Sequence, residues 1–184
     1  ADLDTIVFDK TGTLTKGEFE VNELLTADGV SEAELLEAAA YAENFSDHPI
    51  AASIKRAFAK EGNEIAAERI SDVKEVAGHG IRILLDGAEV FAGNEKLLSD
   101  NSIAAVPTEK PGTVVYVAKN GSYMGCVIIS DTIKPEARQA IKSLKQAGVK
   151  QTVMLTGDRK KAGEAVAKEL GIDTVYTQLL PADK

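Results

Sequence analysis

The sequence predicts an α/β fold built on a parallel sheet and interrupted by an inserted α+β domain. Three observations predict it. An apolar run, "TIVF", ends in Asp9 near the start of the chain. Beyond about residue 130, helical and strand patterns alternate, as parallel βαβ units require. Between these regions lie two pairs of short apolar runs, each pair joined by a two-residue hairpin signal.

Residues 4–9 read as the first strand, which delivers Asp9 to its carboxyl end. Two helices follow. "GVSEAELLEAAAYAE" opens with Ser31 and Glu34 at capping-box spacing, with Val30 and Leu35 placed as a hydrophobic staple. "HPIAASIKRAFAKEG" starts with Pro49 at the first helical position and stops at Gly62. Its Ile50, Ile54 and Phe58 recur at four-residue steps, one buried face.

From about Ser71 the texture becomes strand-like. "IRILLDGAEVFAG" turns at Asp86-Gly87 and "TVVYVAKNGSYMGCVIIS" at Asn120-Gly121, dipeptides that tolerate the positive φ angles of tight hairpins. The middle of the chain is therefore an antiparallel sheet with helices. After Ser130, "IKPEARQAIKSLKQAG" is a helix closed by Gly148, with Ala137, Ile141 and Leu144 on one side. "TVMLTGD" is a buried strand ending in a polar turn, "RKKAGEAVAKELG" a helix ending at Gly171, and "DTVYT" a further strand. Residues 1–17 then supply the first strand of the parallel sheet, 18–129 are the insertion, and 130–184 complete the sheet.

The 184 residues carry a formal charge of −8, which argues against nucleic acid or an anionic membrane surface as main partner. A phosphate-bearing ligand stays admissible, because backbone N–H groups, one lysine and a metal ion can hold it locally. The single cysteine, Cys126, excludes an internal disulfide and sits in an apolar run that reads as core. No apolar run reaches the roughly 18 residues that span a bilayer, and no signal peptide is visible. The abrupt start at a strand and the stop at "LLPADK" suggest a segment of something longer.

Open parallel sheets bind ligands at the carboxyl ends of their strands. Asp9 ends one strand and Thr156-Gly157-Asp158 another, so the two should converge on one crevice. This is a structural reason to treat Asp9 as reactive.

"DKTGTLT", Asp9–Thr15, is identical to the phosphorylation signature of P-type ATPases. "TGD" at Thr156–Asp158 matches a second block of that family, and "LLPADK" ending at Lys184 resembles a third. "SDHP" at Ser46–Pro49, "GHG" at Gly78–Gly80 and "GN" at Gly93-Asn94 resemble the nucleotide-binding blocks of its heavy-metal-transporting branch. Asp47 departs from that branch's usual Glu. "QTVMLTGD" is slightly more similar to the zinc, cadmium and lead pumps than to the copper ones.

The resemblance implies a haloacid-dehalogenase-like phosphorylation domain with a nucleotide-binding domain inserted. It implies that Asp9 attacks the γ-phosphorus of ATP to form an aspartyl phosphate, splitting one displacement into two steps. Thr156, the Gly157 N–H and the Lys184 ammonium would neutralise or hydrogen-bond the phosphoryl group. Mg²⁺ would be held by Asp9 and the carbonyl of Thr11. His48 would contact adenine with Glu43 nearby, Gly78 and Gly80 would let backbone approach the nucleotide, Asn94 would add a polar contact, and Gly93 beside it would belong to the same binding block. The start of a helix disfavours imidazolium, so His48 would present a neutral ring to adenine.

Related phosphatases carry a second Asp two residues after the nucleophile; here that place is Thr11, which favours a slowly hydrolysed phosphoenzyme. The family's Gly-Asp-Gly-x-Asn-Asp block does not occur in this sequence, so strong Mg²⁺ binding and steady turnover are not expected of it. The implied partners are ATP or ADP and the membrane and actuator domains of a pump. The implied location is the cytoplasmic face of a membrane, with the chain itself soluble and monomeric. Two alternatives stay open, a nucleotide-binding module without catalysis and a soluble haloacid-dehalogenase-like phosphatase. The remaining polar features have plain readings: His79 exposed and idle, Asp131 and Lys134 as helix caps or a hinge, and Arg159–Lys161 as a solvated or phosphate-steering helix start.

Overall fold

Strand β1 (Thr5–Asp9) finds its partner far along the chain, pairing in parallel with β8 (Gln151–Leu155) so that Asp9 stands beside Leu155. This is a computed structural model, and it describes residues 4–184. On its other side β8 pairs in parallel with β9 (Thr174–Tyr176), giving the order β1-β8-β9. Helices α4 (Ala137–Gln146) and α5 (Lys160–Leu170) supply the crossovers that parallel pairing demands. Ile141, Met154, Ala167 and Leu170 bury together with Leu14. Gly171, in the left-handed conformation, ends α5.

These elements belong to one compact unit, residues 4–18, 109–112 and 131–184. Within it Arg159 donates to the carbonyls of Lys110 and Gly112 at 3.0 and 2.8 Å, and Lys161 pairs with Glu109. The helix start read as solvated or phosphate-steering is thus tied to that four-residue segment.

The second unit, residues 19–108 and 113–130, is built on a six-stranded sheet in the order β2-β7-β6-β5-β4-β3. Its strands are β2 (Thr15–Thr26), β3 (Ile70–Val76), β4 (Gly80–Leu85), β5 (Ala88–Gly93), β6 (Thr113–Lys119) and β7 (Ser122–Ile133). Both expected hairpins form. Asp86-Gly87 and Asn120-Gly121 have all four φ angles positive, between 51° and 82°.

Alternation along these strands covers both faces. Ile81, Ile83, Val115 and Val117 meet α1 (Glu32–Ala42) and α2 (Pro49–Lys60), whereas Phe91, Tyr116 and Ala118 pack with α3 (Glu95–Asp100). Ser31 caps α1 by accepting from the Glu34 N–H at 3.1 Å. On α2, Ile54 and Phe58 are buried and Ile50 packs partly buried beside them. Cys126 is buried in the second cluster, as its apolar context suggested.

Candidate functional site

The "DKTGTLT" loop follows directly from β1. Residues 10–14 form a tight turn, closed by a bond from the Thr15 N–H to the Lys10 carbonyl, with Gly12 at φ 79°. A side chain at that φ would be strained, so the loop uses glycine where it reverses. Asp9 is half exposed at the strand's end, and the Lys184 ammonium lies 3.0 Å from its Oδ1. Lys10 is buried, and its ammonium meets Asp158 Oδ2 at 2.7 Å. A buried cation is tolerated only with such a partner.

Thr15 is almost fully buried and joins the two ends of this unit's sequence. Its hydroxyl lies 2.5 Å from Asp131 Oδ2 and accepts from the Gly12 N–H at 3.3 Å. Lys134 holds the other side of the same glycine, donating to its carbonyl at 3.1 Å. Asp131 and Lys134 are therefore not helix caps; Glu136 occupies the cap position of α4. Their partners are the loop residues 12 and 15, more than a hundred positions away in sequence.

Thr156 is buried at the carboxyl end of β8. Its Oγ1 accepts from the Asp158 N–H at 3.1 Å, and its carbonyl accepts from the Leu179 N–H at 3.1 Å. Gly157 follows, where an added Cβ would meet the Leu179 carbonyl at 3.0 Å. Asp9 and Thr156 thus terminate adjacent strands, with Lys184 paired to the former. Lys10, Thr15, Asp131, Lys134 and Asp158 are the loop-supporting residues that motif reading left unassigned. Two of them, Lys10 and Thr15, lie inside "DKTGTLT" itself.

The second group of residues lies wholly in the other unit. Glu43 closes α1 and His48 opens α2, so both border one short loop. His48 Nδ1 accepts from the Ile50 N–H at 3.2 Å, so this ring nitrogen caps the helix and Nε2 is the one left to meet a ligand. Glu43 is mostly buried. Burial pushes its carboxyl up from 4.5 to about 7; Lys55 opposes this and the nearby Glu75 adds to it.

The glycines share one close contact. A Cβ on Gly80 would lie 2.3 Å from the Ala92 carbonyl, and one on Gly93 would lie 2.1 Å from the His79 carbonyl, so the ends of β4 and β5 approach as only glycines allow. Gly78 turns the chain just before them. Asn94 ties this corner together: its Oδ1 accepts from the Leu97 N–H at 3.0 Å, and its Nδ2 donates to the Gly78 carbonyl at 3.1 Å. Both ends of its amide are used within the fold. His79, expected to be exposed, is half-buried, and its Nδ1 donates to the Ala77 carbonyl at 2.8 Å.

A model of the haloacid dehalogenase-like hydrolases matches residues 3–184. The chain belongs to that family. Within this hydrolase family its relatives are metal-transporting ATPases. It is 52% identical, over 97% of its length, to the cadmium, zinc and cobalt-transporting ATPase of Bacillus subtilis. It is 48% identical, over 98% of its length, to the zinc-transporting ATPase of Synechocystis. A copper-exporting P-type ATPase of Staphylococcus haemolyticus is 37% identical. The chain spans about a quarter of these relatives, 25% and 24% of the first two.

A solved zinc-transporting PIB-type ATPase in an E2.Pi state superposes with a TM-score of 0.79 at 33% identity, covering 99% of this hydrolase chain and 30% of that one. The catalytic domain of a CPx-ATPase superposes at 0.75 with 28% identity, 64% of it covered. In sequence and fold, this chain matches a segment of metal-transporting P-type ATPases, the catalytic domain of a CPx-ATPase among them. Among the described residues, no helix is long and apolar enough to cross a membrane.

Proposed function

We propose that this chain is the ATP-binding and self-phosphorylating unit of a heavy-metal-transporting P-type ATPase. The observation that carries the reading is the intact "DKTGTLT" at the end of a parallel strand, with the Lys184 ammonium 3.0 Å from the Asp9 carboxyl. An Asp9 oxygen forms a bond to the γ-phosphorus of ATP while the bond from that phosphorus to its bridging oxygen breaks. The electron pair leaves with ADP. Phosphoryl transfer is mainly positioning and charge neutralisation, and this unit offers the Lys184 cation, the Thr156 hydroxyl proton and the Gly157 N–H for it.

The Asp9 carboxyl and the Thr11 carbonyl are hard oxygen donors that suit Mg²⁺, an ion that fills most of its octahedron with water and phosphate oxygens. Among the described residues, no group of three His, Cys, Asp or Glu side chains forms a fuller cage. When bound, the ion would neutralise charge on the phosphoryl oxygens. Thr11 has no carboxylate to deprotonate a water, so the acyl phosphate is expected to persist rather than hydrolyse as in a phosphatase.

In the other unit, Glu43 and His48 would address adenine, while the Gly78, Gly80, Gly93 and Asn94 corner would let backbone approach the nucleotide. The transported ion would be of the zinc, cadmium or cobalt class, since the two relatives at 52% and 48% identity carry those names. The whole pump would work at a membrane together with domains beyond this segment.

The test is phosphoenzyme trapping. This chain, and a version extended to the relatives' full length, are incubated with γ-labelled ATP and Mg²⁺ and then quenched in acid. Acid-stable, hydroxylamine-labile label in the extended protein that vanishes in Asp9→Asn supports the reading. Label that survives Asp9→Asn, or rapid phosphate release from simple phosphomonoesters, overturns it.

A further inference from the structure

The loop between α1 and α2, "ENFSDH", carries an aromatic side chain that its fold does not bury. Phe45 is 58% exposed, the only phenylalanine among the exposed large apolar residues described. The loop around it is held rather than slack. Lys55 donates to the carbonyls on either side of Phe45, those of Asn44 at 3.2 Å and Ser46 at 3.0 Å. The Ser46 N–H donates to the Glu43 carbonyl at 3.1 Å, and the Ser46 hydroxyl accepts from the His48 N–H at 3.3 Å. A cation on α2 and a serine within the loop thus fix the backbone on both sides of a phenyl ring left in water.

Leaving such a ring uncovered forgoes its hydrophobic contribution, and a fixed backbone lowers the entropy lost when a ligand covers it. Two residues before it is Glu43, mostly buried; three after it is His48, whose Nδ1 is committed to the helix cap. Both groups offer edge contacts, a carboxyl and an imidazole N–H, which suit the heteroatoms on the rim of a planar base. What such a subsite also needs is an apolar face.

We propose that Phe45 is an affinity-determining residue of the nucleotide site and supplies a stacking wall for the adenine base. The proposal rests on the reading of Glu43 and His48 as base contacts. Stacking is tolerant of base identity, so Phe45 contributes affinity for any purine, while the polar pair discriminates among them.

The experiment is calorimetric titration of this chain with ATP, and with inorganic tripolyphosphate, for the wild type, Phe45→Ala, Phe45→Trp and His48→Ala. Phe45→Ala is expected to weaken ATP about tenfold, Phe45→Trp to hold it within about twofold, and tripolyphosphate binding to stay unchanged in both. The ring is exposed, so Phe45→Ala should melt with the wild type, which separates lost binding from lost fold. If Phe45→Ala binds ATP like the wild type while His48→Ala weakens it, the stacking proposal falls and the nucleotide reading stands. If Phe45→Ala weakens ATP and tripolyphosphate equally, the ring does not serve the base and the proposal also falls. If the wild type binds no ATP, both readings fall.

Discussion

Replacing Glu43 with Gln should make this chain more stable at neutral pH, although it removes a charged group near a lysine. The carboxyl is raised from 4.5 to about 7, chiefly because burial strips water from its charged form. Each unit of pKa is about 1.4 kcal/mol, so ionising Glu43 in place weakens the fold by roughly 3 kcal/mol at most, and less where solvent reaches it. A carboxyl whose pKa is higher folded than unfolded binds more protons in the folded state across the interval between the two values. Stability is therefore full below about pH 4.5, falls as pH rises from about 4.5 to about 7, and is flat above. Gln mimics the protonated acid and removes this slope.

Urea unfolding at several pH values between 4.5 and 8.5 tests the point. Three of the four tyrosines, Tyr41, Tyr116 and Tyr123, lie in the unit that holds Glu43, and there is no tryptophan, so near-ultraviolet dichroism reports mainly on that unit. The two variants should coincide near pH 4.5 and diverge to about 2–3 kcal/mol in favour of Glu43→Gln above pH 7. Taking the difference cancels every group that the two proteins share. Parallel curves, or a wild type that gains stability relative to Gln as pH rises, would refute the assignment of burial as the dominant influence.

Thr15→Val keeps the shape of the side chain but removes the hydroxyl 2.5 Å from Asp131, whose other oxygen is buried without a hydrogen-bond partner. It should lower stability by about 2–4 kcal/mol, read as faster hydrogen exchange at the β8 amides, with Thr15→Ser close to wild type. Gly93→Ala forces a methyl to 2.1 Å from the His79 carbonyl, so the strand ends must part. A loss of about 3 kcal/mol in urea unfolding is expected, with ATP binding lost in parallel; a variant that keeps both would refute the tight-corner account.

Local chemistry was legible in the sequence, and contacts spanning the insertion were not. The cap at Ser31, the helix start at Pro49 and the turns at Asp86-Gly87 and Asn120-Gly121 are set by residues within a few positions of one another, so pattern suffices to find them. Strand β2 was missed as a continuous element. In "TKGEFEVNELLT" a glycine and the glutamates mask the alternation of Phe19 and Val21, and half of its residues stay exposed. Asp131 was read as a cap because Asp before a helix usually is one, whereas its partner Thr15 comes 116 residues earlier. The short α3 hid behind Asn94, which a motif had already claimed although it caps that helix. Asp9, Thr156 and Lys184 could be named from motifs, but Lys10 with Asp158 and Lys134 with Gly12 emerge only once the strands are aligned.

The pairing of β1 with β8 also sets an order of events during synthesis. Every strand of the six-stranded sheet has left the ribosome before residue 151 appears, so that sheet can mature while β1 still lacks its hydrogen-bonding neighbour. Until then "TIVF" is a bare apolar ribbon, open to mispairing with other nascent chains. Closing so long a loop is slow, and Asp9 gains its fixed surroundings among the last of all the residues in the chain.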